Sequence, residues 1–205
     1  PHLSLALELM NSQNFSKTYT GLSDIINKIY SNQNTNIESL KKTFIEIGQG
    51  LLDSLEYASP HNEVTDLFPL PDTWLINQEI MKIWLFKIAD YIYQQKSIRR
   101  YSILEGVFLF IEQHIKEKIS LVQITEGSMI SLGYLSRIFR DQFGISMMEY
   151  IRLRKIQMVK INFIFTTHNT SDVAFMLGFN ESSYLQKVFQ KVEGISIQEF
   201  KNRLK

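Results

Sequence analysis

One six-residue pattern occurs twice in this chain, and the repeat constrains the fold more than any other feature. Tyr134-Leu135-Ser136-Arg137-Ile138-Phe139 returns 50 residues later as Tyr184-Leu185-Gln186-Lys187-Val188-Phe189. At the same distance beyond each copy stands a Gly-Ile-Ser triplet, Gly144-Ile145-Ser146 and Gly194-Ile195-Ser196. A short apolar segment and a turn precede each copy, over residues 121–131 and 170–180. Self-similarity at a fixed period means one supersecondary unit built twice. A short helix, a turn and a longer amphipathic helix, twice over, make a duplicated helix-turn-helix.

The spacing within each copy supports that reading. Leu132, Leu135, Ile138, Phe139 and Phe143 recur at three- and four-residue steps, which places them on one helical face. Leu185, Val188, Phe189 and Val192 form the same stripe in the second copy. Ser131 and Asn180 stand just before the two runs, where a side-chain oxygen can accept from orphan backbone donors. Upstream of the second stripe, Val173, Ala174 and Leu177 are the expected core positions, with Gly178-Phe179 as turn and plug. Ala174 is small where two crossing helices would approach closely.

Residues off the stripe are the candidates for meeting a duplex. They are Ser136, Arg137 and Arg140 in the first copy, and Glu181, Ser182, Ser183, Gln186, Lys187 and Lys191 in the second. Arg can fork onto guanine O6 and N7, and Gln can read adenine N6 and N7. Ser and Lys more often hold phosphate, which positions a protein without reading sequence. Two such helices can reach successive major-groove segments about 34 Å apart.

Residues 103–205 resemble the tandem helix-turn-helix domain of the AraC/XylS family of transcription regulators. The most specific stretch runs Ser171-Asp172-Val173-Ala174-Phe175-Met176-Leu177-Gly178-Phe179-Asn180-Glu181-Ser182-Ser183-Tyr184-Leu185. By the resemblance, residues 146–165 are the connecting helix, opening on Tyr150-Ile151-Arg152-Leu153-Arg154-Lys155. Gly133, Ser136 and Arg137 would face the groove in the first unit, and Ser182, Ser183, Gln186 and Lys187 in the second. The chain departs from the family pattern at Thr125, where Ala is usual, and at Met129, where the turn usually has Gly. It departs again at Ile197, where Pro is common. Gly133 offers no side chain to a base, so the first unit is expected to grip phosphates more than it reads sequence.

Charge divides along the same line. Residues 115–205 hold 13 Lys and Arg against 8 Asp and Glu, whereas residues 1–114 hold 9 against 13. A basic half beside an acidic half fits a nucleic-acid-binding domain joined to a separate module. The chain has no cysteine, which excludes disulfides, thiolate chemistry and Cys-based zinc sites. No apolar run reaches the ~18 residues of a membrane span, and no signal peptide is visible, so a cytoplasmic protein without membrane contact is expected. The chain starts at Pro1 rather than Met and reads as a piece of a longer protein.

Nine glycines, four prolines and long apolar periodicities predict an all-α fold. A helical module over residues 1–100 is expected before the tandem domain at 101–205. An amphipathic helix is predicted over residues 37–57, interrupted at Gly48 and Gly50, then a turn-rich break over 66–72. Residues 73–95 predict a helix apolar almost all round, with Trp74, Ile80, Trp84 and Tyr91 among its large groups. That surplus predicts self-association through a symmetric dimer, with packing against residues 37–57 as the competing outcome. A polar link over 94–100 and a helix over 102–119 follow. The arrangement is similar to the helical segment of YesN-like regulators, which carry a receiver or a membrane sensor further upstream.

Catalytic readings find no support. His2, His61, His114 and His168 are scattered, with no second ligand at metal-binding spacing, and no phosphate loop or nucleophile elbow occurs. Neither cofactor nor metal is expected. Two functions remain: a sequence-specific regulator, activator or repressor, with double-stranded DNA and RNA polymerase as expected partners, and an interaction protein that keeps the fold but binds DNA weakly. Gly133 and the modest charge excess keep the second open.

Overall fold

A computed structural model of the protein describes residues 1–32, 36–56, 62–126 and 129–205. It is helical, with no strand among the described residues. The chain divides into two compact units, one of residues 1–104 with 140–145, the other of residues 105–139 with 146–205.

The first unit is a helical bundle. Helices α1 (His2–Asn11), α2 (Phe15–Tyr30), α3 (Ile37–Asp53) and α5 (Gln78–Arg100) pack on one another, with the short α4 (Val64–Leu67) and a 3-10 turn (Asp72–Ile76) between α3 and α5. Asn14, Asn36 and Asn77 each accept from backbone N–H groups two or three residues on, which fixes where α2, α3 and α5 begin. Asn77 also explains why the predicted 73–95 helix splits: its first turn is 3-10, and α5 starts only at the cap. At the other end α5 runs through the expected polar link to Arg100. Arg99 and Arg100 there sit favourably against the helix dipole.

Helix α5 is buried on several faces, as its sequence demands. Phe15 meets the rings of Phe86 and Tyr93 edge-on at 5.5 and 5.0 Å, and Phe44 meets Trp84 at 6.4 Å. The Trp84 indole donates to the carbonyl of Phe68, 3.1 Å away. Ile80 and Trp84 are thus core, while Trp74 and Tyr91 are half-buried. Of the surface from which a dimer was expected, Ile80 and Trp84 are taken into the core, as in the competing outcome, and Trp74 and Tyr91 are covered only in part.

Gly48 does not interrupt α3. A Cβ placed on it would lie 2.8 Å from the Trp84 ring and 3.2 Å from Ile88 and Val64 side chains, so glycine is what lets α3 close on α5. Gly50 likewise leaves room for Leu3. The predicted end of this helix at Tyr57 lies outside the described residues.

The second unit contains α6 (Leu104–His114), α7 (Leu121–Thr125), most of α8 (Leu132–Phe143), α9 (Met147–Phe165), α10 (Thr170–Met176), α11 (Ser182–Glu193) and α12 (Ile197–Arg203). Helix α6 stops at His114, short of the predicted residue 119, and His114 stacks there on Phe110 with centroids 4.3 Å apart. Residues 140–145, the last turn of α8 with the Gly144-Ile145 pair after it, group with the first unit, where the Phe143 ring lies 5.3 Å from both Phe15 and Tyr93. No helix is long and apolar enough to cross a membrane among the described residues.

Two glycines give opposite expectations for one substitution. In a helix interior Gly→Ala stabilises by about 0.5–1 kcal/mol through backbone entropy alone. Gly106→Ala on α6 meets nothing within 4 Å and should show that gain. Gly48→Ala should instead lower the midpoint of thermal unfolding, because its methyl must displace the Trp84 ring. Circular dichroism melts of both variants check this pair.

Candidate nucleic-acid interface

The Gly-Ile-Ser triplets build the joints of the second half. Gly144 and Gly194 end α8 and α11 at φ of 67° and 74°, the left-handed conformation that side chains resist. Two residues on, Ser146 and Ser196 cap the next helix. Each accepts from the N–H of a Glu three positions later, Glu149 or Glu199, whose carboxylate accepts from the Ser backbone in return. These bonds hold the Glu199 carboxyl below the usual carboxylate range. Ile197 occupies the first position of α12 and is buried, an apolar anchor where Pro would supply only its fixed φ.

The two longer helices, α8 and α11, present matching faces. Leu135, Ile138 and Phe139 are buried in the first, and Leu185, Val188 and Phe189 in the second. Arg137 and Arg140 stand exposed on α8, with Ser136 half-buried. On α11, Ser183, Gln186, Lys187 and Lys191 are exposed, with Glu181 just before the helix and Ser182 half-buried at its start. Gly133 opens onto empty space, with nothing within 4 Å of a Cβ placed there. The Arg137 guanidinium lies 5.4 Å above the Tyr134 ring, which holds it at the helix surface. Tyr134 and Tyr184, at equivalent positions, are 41% and 47% exposed, so these repeat residues belong in part to the outer face.

The starts of the two helices differ chemically. Ser131 accepts from the Tyr134 N–H at 3.2 Å, as its position predicts. The cap of α11 is Glu181 rather than Asn180, and it makes no side-chain bond to the helix backbone. The chain enters α11 one residue later than the Asn suggests, and the Glu181 carboxylate instead accepts from the Ser183 hydroxyl at 3.0 Å. A negative group and an engaged hydroxyl therefore stand together at the N-terminal end of the second exposed face.

Below α11 lies the core that holds it. Val173, Ala174 and Leu177 pack with Leu185, Val188, Phe189, Phe200 and the α9 residues Ile156, Val159 and Phe163. Ala174 is 2% exposed, as expected where helices cross closely. Phe175, by contrast, is 86% exposed.

Charge counting overstated the cations available to an outside partner, because three of them are internal. Arg154 pairs with Glu112 and donates to the Tyr150 hydroxyl at 3.1 Å. Lys160 is 1% exposed and lies 3.3 Å from a Glu193 carboxylate oxygen. Lys155 is buried too, and burial draws its ammonium down to about 8. No cluster of His, Cys, Asp and Glu able to hold a metal ion occurs among the described residues. In the first unit, Tyr91 alone of the aromatic trio Trp74, Trp84 and Tyr91 lines a cleft of about 450 Å³, beside Leu52, Leu55, Leu67, Lys96 and Arg99.

Two short helix–turn–long helix units, each with a buried stripe and an exposed polar face, joined by one connecting helix, define a tandem helix-turn-helix domain. A family model described as a helix-turn-helix domain matches residues 127–203. The chain is 24% identical over 134 residues to the probable transcriptional regulator LumQ of Photobacterium leiognathi, covering 64% of this chain and 54% of that one. It is 21% identical over 160 residues to the HTH-type transcriptional regulator YdiP of Escherichia coli, covering 78% and 52%. The chain thus spans about half the length of these relatives. Among solved structures, it is similar to the C-terminal domain of the response regulator YesN from Fusobacterium nucleatum, at 24% identity and a TM-score of 0.45 over 47% of this chain and 95% of that one.

The two helix starts can be tested against each other. Ser131→Ala removes a cap bond and should cost about 1 kcal/mol of stability. Glu181→Ser supplies the missing cap and should raise stability by up to about 1 kcal/mol. Urea titrations of both variants give the comparison, and equal shifts of one sign would contradict the two cap geometries.

Proposed function

We propose that this protein is a sequence-specific, DNA-binding transcription regulator that lays α8 and α11 into successive major-groove segments of a duplex. The observation that carries the reading is the matched pair of exposed polar faces on two helices with the same buried stripe. The regulator names of the related proteins support it from outside the structure. An interaction protein with a vestigial fold has less in its favour, since both outer faces keep cations or hydrogen-bonding groups at the positions where a duplex would lie.

The two helices divide the work. On α11, Gln186 is the base reader, with an amide that can bond adenine N6 and N7 together. Lys187 and Lys191 hold phosphates on either side, and Ser182 and Ser183 place the helix start against the backbone. Glu181 can accept from a cytosine N4 amine and repels phosphate elsewhere, which adds to selectivity. On α8, Arg137 is the one forked donor in the groove, Arg140 and Ser136 grip backbone, and Gly133 reads nothing. In this reading the first unit anchors and the second discriminates. A cytoplasmic setting, RNA polymerase as the downstream partner and a second copy of the chain on the operator belong to the same proposal.

Selection of bound sequences from a random duplex pool, followed by titration, tests this. Gln186→Ala should cost about 1–3 kcal/mol at one base pair and relax preference there. Lys187→Ala should weaken all sequences alike and reduce the salt slope by about 1. Folded variants that bind with unchanged affinity reject the docking of α11.

The division of work makes a separate expectation. Base-pair changes under α8 should shift affinity less than changes under α11, apart from the pair that meets Arg137. A full mutational scan of the selected site measures this, and equal losses in both halves overturn the asymmetry.

A further inference from the structure

Lys155 lies in the middle of the connecting helix α9 and is 7% exposed. Its ammonium donates to two backbone carbonyls, one in the segment just before the first helix-turn-helix unit and one inside the second. One is the carbonyl of Glu117, in the segment that leads into α7. The other is the carbonyl of Leu177, 2.6 Å away at the end of α10. The Phe179 ring lies 5.5 Å from the same nitrogen and closes the site on a third side.

The neighbouring glycine makes the contact tighter. Gly178 has φ of 70°, and a Cβ placed on it would lie 2.5 Å from the carbonyl carbon of Glu117 and 2.8 Å from the Lys118 nitrogen. The turn of the second unit therefore rests backbone to backbone on the segment entering the first. Burying a cation costs free energy that an aliphatic residue here would avoid. The burial that draws the Lys155 ammonium below its ordinary range is the mark of that cost, partly offset by the Glu117 carboxylate. What the cation adds is direction, because two charge-assisted bonds fix where both carbonyls stand.

We propose that Lys155 is a positioning residue that locks the two helix-turn-helix units in one mutual placement and so sets the spacing of DNA segments the protein accepts. The DNA side of this rests on the two-helix reading above, while the locking itself does not. Each base pair inserted between the segments shifts one against the other by about 3.4 Å along the duplex axis and rotates it. A locked pair rejects the insertion and a loosened pair tolerates it.

The absence of native cysteine makes the measurement direct. Spin labels at Ser136→Cys and Gln186→Cys report the α8–α11 distance distribution by pulsed electron resonance. With Lys155 present the distribution should be single and narrow. Lys155→Met should broaden it, and Gly178→Ala, which pushes the same carbonyl away, should shift it. In unlabelled protein, Lys155→Met should lower affinity for the intact site by about tenfold. It should also shrink the penalty for a one-base-pair insertion, and leave binding to a duplex with only the α11 segment unchanged.

A folded variant with the wild-type distance distribution and the wild-type insertion penalty overturns the proposal. Equal affinity loss on the intact and single-segment duplexes overturns it too, since that marks general destabilisation. If the wild-type protein bound no duplex, the DNA reading would fail, and the distance distributions would still decide the role of Lys155.

Discussion

Most of the second unit depends on one helix that belongs to two cores at once. The first half of α9 gives Tyr150 to Phe139 and Phe108, with ring centroids 5.4 and 6.1 Å apart. Its second half gives Ile156, Val159 and Phe163 to the core beneath α11. A helix-turn-helix of two short elements has too little apolar surface to fold by itself. Sharing a connector solves that for both copies, at the cost of burying polar groups along its length. Arg154, Lys155 and Lys160 are those groups, and each has found a carboxylate, a carbonyl or an aromatic face. The connector is therefore a buried helix with internal cations, which is why no single amphipathic face is visible in its sequence.

The repeat was readable because both of its periodic features are local. Three- and four-residue spacing specifies the stripe on α8 and α11, and Gly-Ile-Ser specifies a left-handed stop, an apolar plug and a cap. Nothing from elsewhere in the chain is needed to recognise either. The exposed site residues follow from the same local rule, as positions the stripe leaves outside. Misreadings arose where a neighbour decides. Gly48 looks like a helix breaker until the Trp84 ring is known to fill its place. Asn180 looks like a cap until the turn carries the chain one residue further.

Helix α2 carries a regular apolar stripe, with Phe15, Leu22, Ile25, Ile26 and Ile29 buried, but polar groups join its inner side. The packing shows why those polar groups are tolerated. The Thr18 hydroxyl meets the Tyr93 hydroxyl at 2.8 Å inside the core, and the Tyr30 hydroxyl donates to the Leu75 carbonyl at 2.6 Å. Long-range partners satisfy them, and sequence pattern contains no trace of such partners.

Internal use of cations changes what the charge excess of residues 115–205 means. A net excess counted along the chain treats every Lys and Arg as available to phosphate, yet three of the thirteen between residues 115 and 205 serve the interior. Of those that stay outside, Arg137 and Arg140 lie on α8, Lys187 and Lys191 on α11, and Arg203 and Lys205 at the C-terminal end. If α8 and α11 meet a duplex as proposed, electrostatic attraction is weaker than the count implies, and a larger share of affinity must come from fit, with both helices engaged together. Fit of that kind requires the two helices to hold their separation without help from the ligand. In a domain of this size, rigidity comes less from stability in general than from directional bonds at the junction between units. A buried ammonium between two carbonyls is such a bond, so a charge withdrawn from the outer surface is placed where, in the proposed complex, it can make the remaining contacts act together.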